Sequence, residues 1–356
     1  MTDCSLLERT LEANLSWNRA RIKFLARFLL ALFAAKTVNL AQIATFFAGR
    51  ATTDSNYKRI KRFLRFFEIS ESEIAELVIR LMRLSPPFVI TIDRTEWRLG
   101  KTWVNVLMLA IVSPGGVAVP LLWTVFQKKG CSSDAERCAI VEKYLRFFPA
   151  QSIEFVTADR EFASAEWLRF LRRREIGLCL RIKANVQITN KRGKLMKAHR
   201  LLSRGKIGEV IQCRRPRLIW GVGVRLAGRR KACGDNVIVV SSLNVSEGLS
   251  GYRLRWQIET LFGCLKSRGF CLEATHLTDT ERVSRLLCVL ALAFCWAMLS
   301  GAIATARKPL KRKKHGRLEK SIFRAGTDYL RRLFCRQASK GQEQERKQLI
   351  LLLSRT

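Results

Sequence analysis

Four polar residues in the second half of the chain have types and a spacing that could do chemistry. They are Tyr252, Arg255, Glu259 and Lys266. On a helical wheel they fall within about 60° of one another, because each residue of an α-helix advances the chain by about 100°. Apolar residues fall on another side, which can pack against a core: Leu254, Ile258, Leu261, Phe262 and Leu265. The pattern predicts a helix that sets a carboxylate among an arginine, a lysine and a tyrosine in a cleft.

Two further carboxylates accompany predicted strands. Asp93 directly follows the apolar run Phe88 to Ile92, and Asp159 comes just after the run Ile153 to Thr157. If the two strands are neighbours, the aspartates meet although 66 positions separate them (159 − 93). Their charges then repel each other unless a cation lies between them. A single aspartate at a strand end can instead be a cap or a turn residue.

The three carboxylates together favour metal-dependent chemistry on phosphodiesters. Asp93, Asp159 and Glu259 offer hard oxygen ligands that suit Mg²⁺ or Mn²⁺. Two such ions, about 3.5 to 4 Å apart, can activate an attacking oxygen and stabilise the leaving one. We therefore predict that these three residues are catalytic and hold two Mg²⁺ (or Mn²⁺) ions.

The basic residues beside the carboxylates suit a phosphate substrate. Arg255 and Lys266 can neutralise the phosphates that flank a scissile bond, and Tyr252 can donate a hydrogen bond to one. Glu96 and Glu161 are nearby competing carboxylates, and Glu161 replaces Asp159 as a ligand if Asp159 is misassigned.

The charge of the chain predicts a polyanionic partner. The 356 residues include 65 Lys and Arg against 29 Asp and Glu, a formal net charge of +36. Nucleic acid explains this excess most economically, and an anionic membrane surface is the rival. The 11 cysteines form no C-x-x-C pair and only three histidines accompany them, so neither a zinc site nor a disulfide framework is indicated. Reduced cysteines are typical of a cytosolic protein.

One stretch is long enough to span a bilayer. Residues Leu286 to Ala306 carry no charge, and about 20 apolar residues suffice for a span. Its second half is only weakly apolar and no other segment matches it, so we favour a buried core helix. The start, Met1 to Lys23, carries Asp3, Glu8 and Glu12 and does not resemble a secretory signal. We therefore predict a cytoplasmic protein, associated with the nucleoid when bound to DNA, with no membrane partner.

The first 85 residues predict a helical DNA-binding domain. A helix from about Asn56 to Phe67 carries basic residues on one side and apolar ones on the other. We predict that the basic face contacts DNA, although a solvated surface helix explains the same pattern. Its basic residues are Lys58, Lys61, Arg62 and Arg65.

The middle of the chain predicts an α/β catalytic domain, residues 86–306. Its elements follow the order β-β-β-α-β-α-β, which matches the ribonuclease H-like fold, whose first and fourth strands are neighbours. Residues from about 184 to 245 predict a β-rich basic insertion in this core. We interpret the remainder, residues 307–356, as a basic carboxy-terminal tail that is disordered or binds phosphate.

These residues resemble a known family. The pattern Tyr252-x2-Arg255-x3-Glu259-x6-Lys266 is similar to the Y-R-E-K signature of the insertion sequence 4 family of bacterial DDE transposases. The run Asp159-Arg160-Glu161-Phe162 resembles the family's second aspartate box, and Ile92-Asp93-Arg94-Thr95 is the first box. The resemblance covers roughly Phe88 to Ala306.

The resemblance implies cut-and-paste transposition. The enzyme would cleave double-stranded DNA at the terminal inverted repeats of a mobile element, through a hairpin in some relatives, and join the 3′ ends to target DNA. We expect a homodimer in the synaptic complex, with Arg160 among the DNA contacts. The alternatives are a non-transposing nuclease of the same fold and a catalytically silent DNA-binding relative.

Three residues near the signature or in the insertion have open roles. Relatives that make hairpins place an aromatic residue like Trp256 against an unstacked base, whereas core packing is the other interpretation. Gly263 costs about 1 kcal/mol of helix stability relative to Ala, which close approach of a DNA strand would explain. Trp220 is a candidate for a second stacking residue in the insertion.

Overall fold

A mixed β-sheet lies at the centre of the protein, which is described by a computed structural model. The structure describes residues 3–203, 205–232, 236–243, 247–314, 316–334, 343–347 and 349. The first five strands are β1 Phe88–Leu99, β2 Thr102–Ile111, β3 Val119–Phe126, β4 Ile153–Ala158 and β5 Leu178–Arg181. The next six are β6 Gln187–Thr189, β7 Leu195–Lys197, β8 Val210–Gln212, β9 Arg217–Ile219, β10 Val222–Arg229 and β11 Val237–Ser241.

The sheet has nine strands, with the order β3-β2-β1-β4-β5-β11-β10-β8 and with β9 paired to β10. The pairs β1·β4 and β4·β5 are parallel, and the other pairs are antiparallel. Two helices provide the parallel crossovers, α6 Asp134–Leu145 between β3 and β4 and α7 Ala165–Arg173 between β4 and β5. Residues 104–111 of β2 are all buried, as expected for a strand that is covered on both faces.

The predicted β-rich insertion is not a separate body. Of its strands, β11 pairs antiparallel with β5, through Leu180 and Val240 among others, and β10 and β8 continue the same sheet. This arrangement covers the edge of β5 that would otherwise expose unpaired backbone groups. The hairpin of β6 and β7 is the part of the predicted insertion that forms its own sheet.

Five helices precede the sheet: α1 Asp3–Glu12, α2 Arg19–Ala35, α3 Leu40–Thr45, α4 Thr53–Phe66 and α5 Glu71–Leu81. Side-chain caps explain where they begin. Asn39 accepts hydrogen bonds from the backbone of Ala41 and Gln42, and Thr52 accepts one from Ser55. Because of the Thr52 cap, α4 starts three residues earlier than the sequence pattern predicted.

These helices share one apolar core with the rest of the chain. The cluster of buried residues that contains Leu25 and Phe63 also contains Ile92 and Leu290. Arg285 reinforces the contact, because its Nη1 donates to the backbone carbonyls at Leu64 and Arg65. The helical segment is therefore packed on the sheet and on the helix that contains Arg285 rather than being a separate unit.

The long apolar segment forms a core helix, α10 Thr280–Arg307. Within the described part of the chain it is the one helix that is apolar and long enough to cross a membrane. Its most apolar 18 residues are 83% buried inside the protein. It contacts α2, α4, α5 and β3. The prediction of a buried helix is confirmed.

The carboxy-terminal segment contains a folded helix, which corrects the prediction of a tail. Helix α11 Ile322–Phe334 packs along α10, where the Phe323 ring stacks on Phe294 at 5.7 Å between centroids. Two glycines permit the close contact, because a Cβ on Gly326 would collide with the carbonyl of Ala297 and a Cβ on Gly301 would collide with the carbonyl of Ile322. The basic run Lys311 to Lys314 favoured the prediction of a tail, although the helix that follows it has an apolar face.

Candidate active site

The parallel pairing of β1 with β4 brings the two aspartates together. Ile92 pairs with Ala158, and each is followed directly by an aspartate. The sequence pattern predicted that Asp93 ends its strand, and this is wrong. β1 continues to Leu99, and Asp93 pairs with Met108 of β2. β4, in contrast, ends at Ala158, so β1 has no β4 partner from Asp93 onward.

Asp93 is a largely buried carboxylate with other acidic groups nearby. Burial raises its pKa from the ordinary 3.8 to about 6, and the charges of Glu161 and Asp159 add to the rise. A backbone hydrogen bond from Arg94 to Oδ1, at 2.8 Å, and the charge of Arg255 oppose it. The net effect is that the protein disfavours the negative form of Asp93, chiefly because the carboxylate is removed from water.

Helices α8 Gly248–Arg253 and α9 Trp256–Leu265 place the signature residues against these aspartates. The hydroxyl of Tyr252 donates to Asp159 Oδ1 at 2.9 Å. The Arg255 guanidinium lies between two carboxylates, with Nη1 3.4 Å from Asp93 Oδ2 and Nη2 2.5 Å from Glu259 Oε1. Tyr252 and Arg255 thus connect all three predicted catalytic carboxylates in one network.

Tyr252 and Arg255 are both buried in this network. Burial raises the pKa of Tyr252 to about 12, so the hydroxyl keeps its proton and remains a donor. Burial by itself lowers the pKa of Arg255, but the hydrogen bond to Glu259 and the charges of Asp159 and Glu259 raise it, so the guanidinium stays charged. The Nε of Arg255 is buried and has no hydrogen-bond partner among the residues that the structure describes.

The predicted single helix is interrupted, which changes the place of Lys266. Arg255 lies between α8 and α9 but keeps helical dihedral angles, so Tyr252, Arg255 and Glu259 still share a face. Lys266 is the first residue after α9 and leaves the helical conformation, with φ −91° and ψ −127°. Its Nζ lies 3.2 Å from the backbone oxygen of Glu96 and 2.6 Å from Glu273 Oε1. Lys266 therefore lies at the border of the site, where it already forms an ion pair with Glu273.

Sequence reasoning assigned no role to Arg94, which organises the competing carboxylates. Its Nη1 lies 3.2 Å from Glu96 Oε2 and its Nε lies 3.2 Å from Glu161 Oε1. The Glu161 carboxylate is thereby held in an ion pair with Arg94, next to Asp93. The signal in the sequence was the position of Arg94, directly after the first aspartate.

Two residues with open roles have clear positions. Trp256 is 57% exposed, and the Arg255 guanidinium lies 4.8 Å from its ring centroid, so core packing does not account for this tryptophan. The space in front of Gly263 is taken by the Arg268 guanidinium, which a Cβ would meet, rather than left open for a DNA strand. Trp220 lies with positive φ in the β9–β10 turn and packs partly buried against the core, so the structure does not present it for stacking.

The remaining predicted contacts lie outside this network. Arg160 is exposed in the short turn that follows Asp159. The basic residues of α4 form a separate surface, which we call the α4 face: Lys58, Lys61, Arg62 and Arg65, all exposed. The buried side of α4 is formed by Asn56, Ile60, Phe63 and Leu64, as the pattern predicted for its apolar residues.

The carboxylates fit divalent cations by their chemistry. Among the described residues, no three Asp, Glu, His or Cys side chains already lie close enough to surround an ion. Asp93 and Asp159 are adjacent, and Glu259 joins them through the Arg255 guanidinium. Burial, with smaller contributions from the charges of Glu161 and Asp159, raises the pKa of Asp93, and a hard cation beside the carboxylate would stabilise its negative form.

Comparison with protein families agrees with the geometry. The family described as Transposase DDE domain matches residues 86–296, more than half of the chain and the part that contains the whole carboxylate network. Comparison with curated proteins finds no match. A family match over this range implies a DNA-acting enzyme of the nuclease and transposase class, in an α/β fold with a mixed central sheet. The chain belongs to the transposase DDE domain family.

Proposed function

We propose that the protein is a cut-and-paste DNA transposase of the insertion sequence 4 type, which cleaves element ends and joins the 3′ ends to target DNA. The observation that carries the proposal is the network in which Tyr252 and Arg255 contact the paired aspartates and Glu259. A structural role alone does not require so many charged groups at one opening of a sheet, since buried charges are costly unless they are used or fully paired.

Asp93, Asp159 and Glu259 would hold two Mg²⁺ (or Mn²⁺) ions. When bound, such ions supply an activated oxygen nucleophile and stabilise the leaving oxygen in phosphodiester cleavage. The backbone fixes where the carboxylates lie. The pairing of β1 with β4 positions the two aspartates that follow Ile92 and Ala158, and α9 positions Glu259. Hard carboxylate oxygens without histidine or cysteine favour Mg²⁺ or Mn²⁺ over softer metals.

Arg255 has two successive partners in this proposal. Without DNA it forms ion pairs with Asp93 and Glu259, and its place between them keeps the two carboxylates apart. When a substrate phosphate arrives, the guanidinium turns to the phosphate and Tyr252 donates to the same backbone. Both carboxylates then face the reacting group. Trp256, exposed at the rim, stacks on a base next to the scissile bond.

DNA would follow two basic surfaces. The first is the α4 face, and the second is the tip of the β6–β7 hairpin with Lys191, Arg192 and Lys194. No acidic residue lies between Glu175 and Glu209, so the hairpin has no carboxylate near it in the sequence. Such unpaired cations bind phosphates with strong salt dependence. Arg160 and Lys266 would add contacts nearer the site.

The fold and the assembly complete the proposal. The strand order β3-β2-β1-β4-β5, with β1 antiparallel to β2 and parallel to β4, supports a ribonuclease H-like core. Transposition joins two element ends, so we propose a homodimer in the synaptic complex, acting in the cytoplasm on the nucleoid.

The decisive test is strand transfer with purified protein. The substrate is a duplex that carries the DNA bounding the reading frame, and the products are nicked ends and ends joined to a target plasmid. We expect Asp93→Asn, Asp159→Asn and Glu259→Gln each to retain duplex binding and to lose nicking by a factor of about 10³ or more, as for loss of an essential catalytic group. Wild-type nicking by any one of them would remove that residue from the catalytic set.

Two alternatives predict different results in the same assay. A non-transposing nuclease would nick the duplex in Mg²⁺ but yield no joined product. A catalytically silent DNA-binding relative would bind the duplex equally well in Mg²⁺ and in EDTA and would cleave nothing. The intact carboxylate network favours an active enzyme over the silent relative.

A further inference from the structure

Arg94 holds two carboxylates that lie beside the proposed metal ligands without being among them. Its Nε lies 3.2 Å from Glu161 Oε1 and its Nη2 lies 3.5 Å from Glu161 Oε2, so the guanidinium faces both oxygens of that carboxylate. Its Nη1 lies 3.2 Å from Glu96 Oε2. The proposed function gives Arg94 no part, although it directly follows Asp93 in β1.

Glu161 is the carboxylate that could compete for a cation in the active site. It comes two positions after Asp159, in a short turn that also contains the fully buried Phe162. The charge of Glu161 acts on Asp93 more strongly than the charge of Asp159 does, because it makes the larger contribution of the two to the raised pKa of Asp93. The Glu161 carboxylate therefore lies within electrostatic reach of the place where the aspartates would hold a cation.

The two carboxylates depend on Arg94 to different degrees. Oε2 of Glu96 also accepts hydrogen bonds from the backbone N–H of Gly130 at 3.0 Å and from the Asn105 amide at 3.3 Å. In the described part of the chain, the Glu161 carboxylate has one partner besides Arg94, the thiol of Cys131 at 3.5 Å from Oε2. A thiol is a weak donor, so loss of Arg94 would release Glu161 rather than Glu96.

The number of carboxylate ligands influences which divalent cation a site prefers. Ca²⁺ takes about six to eight oxygen ligands in flexible arrangements, whereas Mg²⁺ keeps several waters and binds to few carboxylates. A fourth carboxylate beside Asp93, Asp159 and Glu259 would therefore favour Ca²⁺ over Mg²⁺.

We propose that Arg94 is a positioning residue that sets the metal specificity of the active site. Its ion pair with Glu161 keeps this carboxylate away from the cations, so the site favours Mg²⁺ over Ca²⁺. The inference rests on the proposed function, because it takes Asp93, Asp159 and Glu259 as the metal ligands. Arg94 acts through Glu161 and contacts neither the metal nor the DNA.

The test measures metal binding by the full-length protein in the absence of DNA. Thermal unfolding is followed while Mg²⁺ or Ca²⁺ is titrated, which gives an apparent affinity for each ion, because a cation that binds the folded state raises the melting temperature. In Arg94→Gln we expect the ratio of Ca²⁺ affinity to Mg²⁺ affinity to rise about tenfold. Loss of one positive charge alone would strengthen the binding of both ions alike, because they carry the same charge, and would leave the ratio unchanged.

A second substitution identifies the carboxylate that is released. Arg94→Gln combined with Glu161→Gln should return the ratio to the wild-type value, because the additional ligand is gone. Lys128→Gln is the matched control for the loss of a paired cation, since Lys128 forms its ion pair with Glu136. It should leave the ratio unchanged. If Arg94→Gln does not fold, Arg94→Lys replaces it: lysine keeps the charge but lacks the planar fork that faces both Glu161 oxygens, so the ratio should rise here as well.

Three outcomes would overturn the role of Arg94. The first is an unchanged ratio in the folded Arg94 variant, and the second is a raised ratio that persists when Glu161 is also changed. The third is weaker duplex binding by Arg94→Gln with an unchanged ratio, which would make Arg94 a DNA contact. If neither ion raises the melting temperature of the wild type, the metal site of the proposed function itself is refuted.

Discussion

Ile92 of β1 and Ala158 of β4 are partners in a parallel pairing, and the next residue of each strand is an aspartate. This register has a consequence for electrostatics. Because Asp93 and Asp159 each follow a partnered residue, their backbones lie at the same level of the sheet, and the charge of Asp159 is one of the influences that raise the pKa of Asp93. The positive charge of Arg255, which pairs with Asp93, offsets part of the repulsion between the carboxylates.

The first prediction concerns the stability of the metal-free protein. The pKa of Asp93 is raised to about 6 in the folded state. A raised carboxyl pKa means that the folded state binds the proton more tightly, so stability is lost as the pH rises from about 4 to 6. We therefore expect Asp93→Asn to be more stable than wild type at pH 7, by on the order of 3 kcal/mol, with the difference vanishing near pH 4. Urea unfolding in EDTA at both pH values measures it.

Metal provides the control for this experiment. Added Mg²⁺ should stabilise the wild type at pH 7 through binding to the folded state, and should have a smaller effect on Asp93→Asn. Equal stability of the two proteins in EDTA at pH 7 would contradict the electrostatic account of the site.

The second prediction concerns the hydroxyl of Tyr252. Tyr252→Phe removes the 2.9 Å hydrogen bond to Asp159 and the proposed donor to a phosphate, so nicking should fall by about 10- to 100-fold. The measurement is the single-turnover rate of nicking. Tyr144→Phe is the matched control, because its hydroxyl contacts Ser152 on the α6 side of the sheet. It should lose stability without losing rate, and an equal loss of rate in both variants would argue against a special role for Tyr252.

The third prediction tests whether α11 is part of the folded core. In Gly326→Ala the new methyl group meets the backbone carbonyl of Ala297, which cannot yield without moving α10, so the protein should lose about 2 to 3 kcal/mol. In Gly263→Ala the methyl group meets only the end of the flexible Arg268 side chain. A gain in helix propensity of up to about 1 kcal/mol then offsets the displacement. Chemical unfolding compares the two, and similar values would mean that α11 does not pack as described.

The fourth prediction concerns the β6–β7 hairpin. Asn190 fixes the shape of the tip, because its Oδ1 accepts from the backbone of Arg192 and of Lys194. The double change Lys191→Gln and Arg192→Gln should leave the melting temperature unchanged and reduce the salt slope of DNA binding by about 0.9 for each phosphate that the hairpin no longer binds. The control changes Arg172 and Arg173, two exposed cations of α7, in the same way. An equal effect of the two double variants would assign the weaker binding to net charge rather than to the hairpin.

Local features were readable from the sequence because they depend on residues a few positions apart. The Asn39 cap, the opposite basic and apolar sides of α4, and the first five strands follow from caps, helical spacing and apolar runs. The buried core position of α10 also followed from its composition. The roles of the site residues remain predictions that the experiments above address.

Other features depended on contacts between distant parts of the chain. The sequence alone determined which residues could act on a phosphodiester and the family-like spacing that joins them. Only the tertiary structure decided that Arg255 lies between Asp93 and Glu259, that Lys266 leaves the helix, and that α11 packs on α10. The physical reason is that pairing register, burial and close glycine contacts are set by which surfaces meet, and no local propensity encodes that choice.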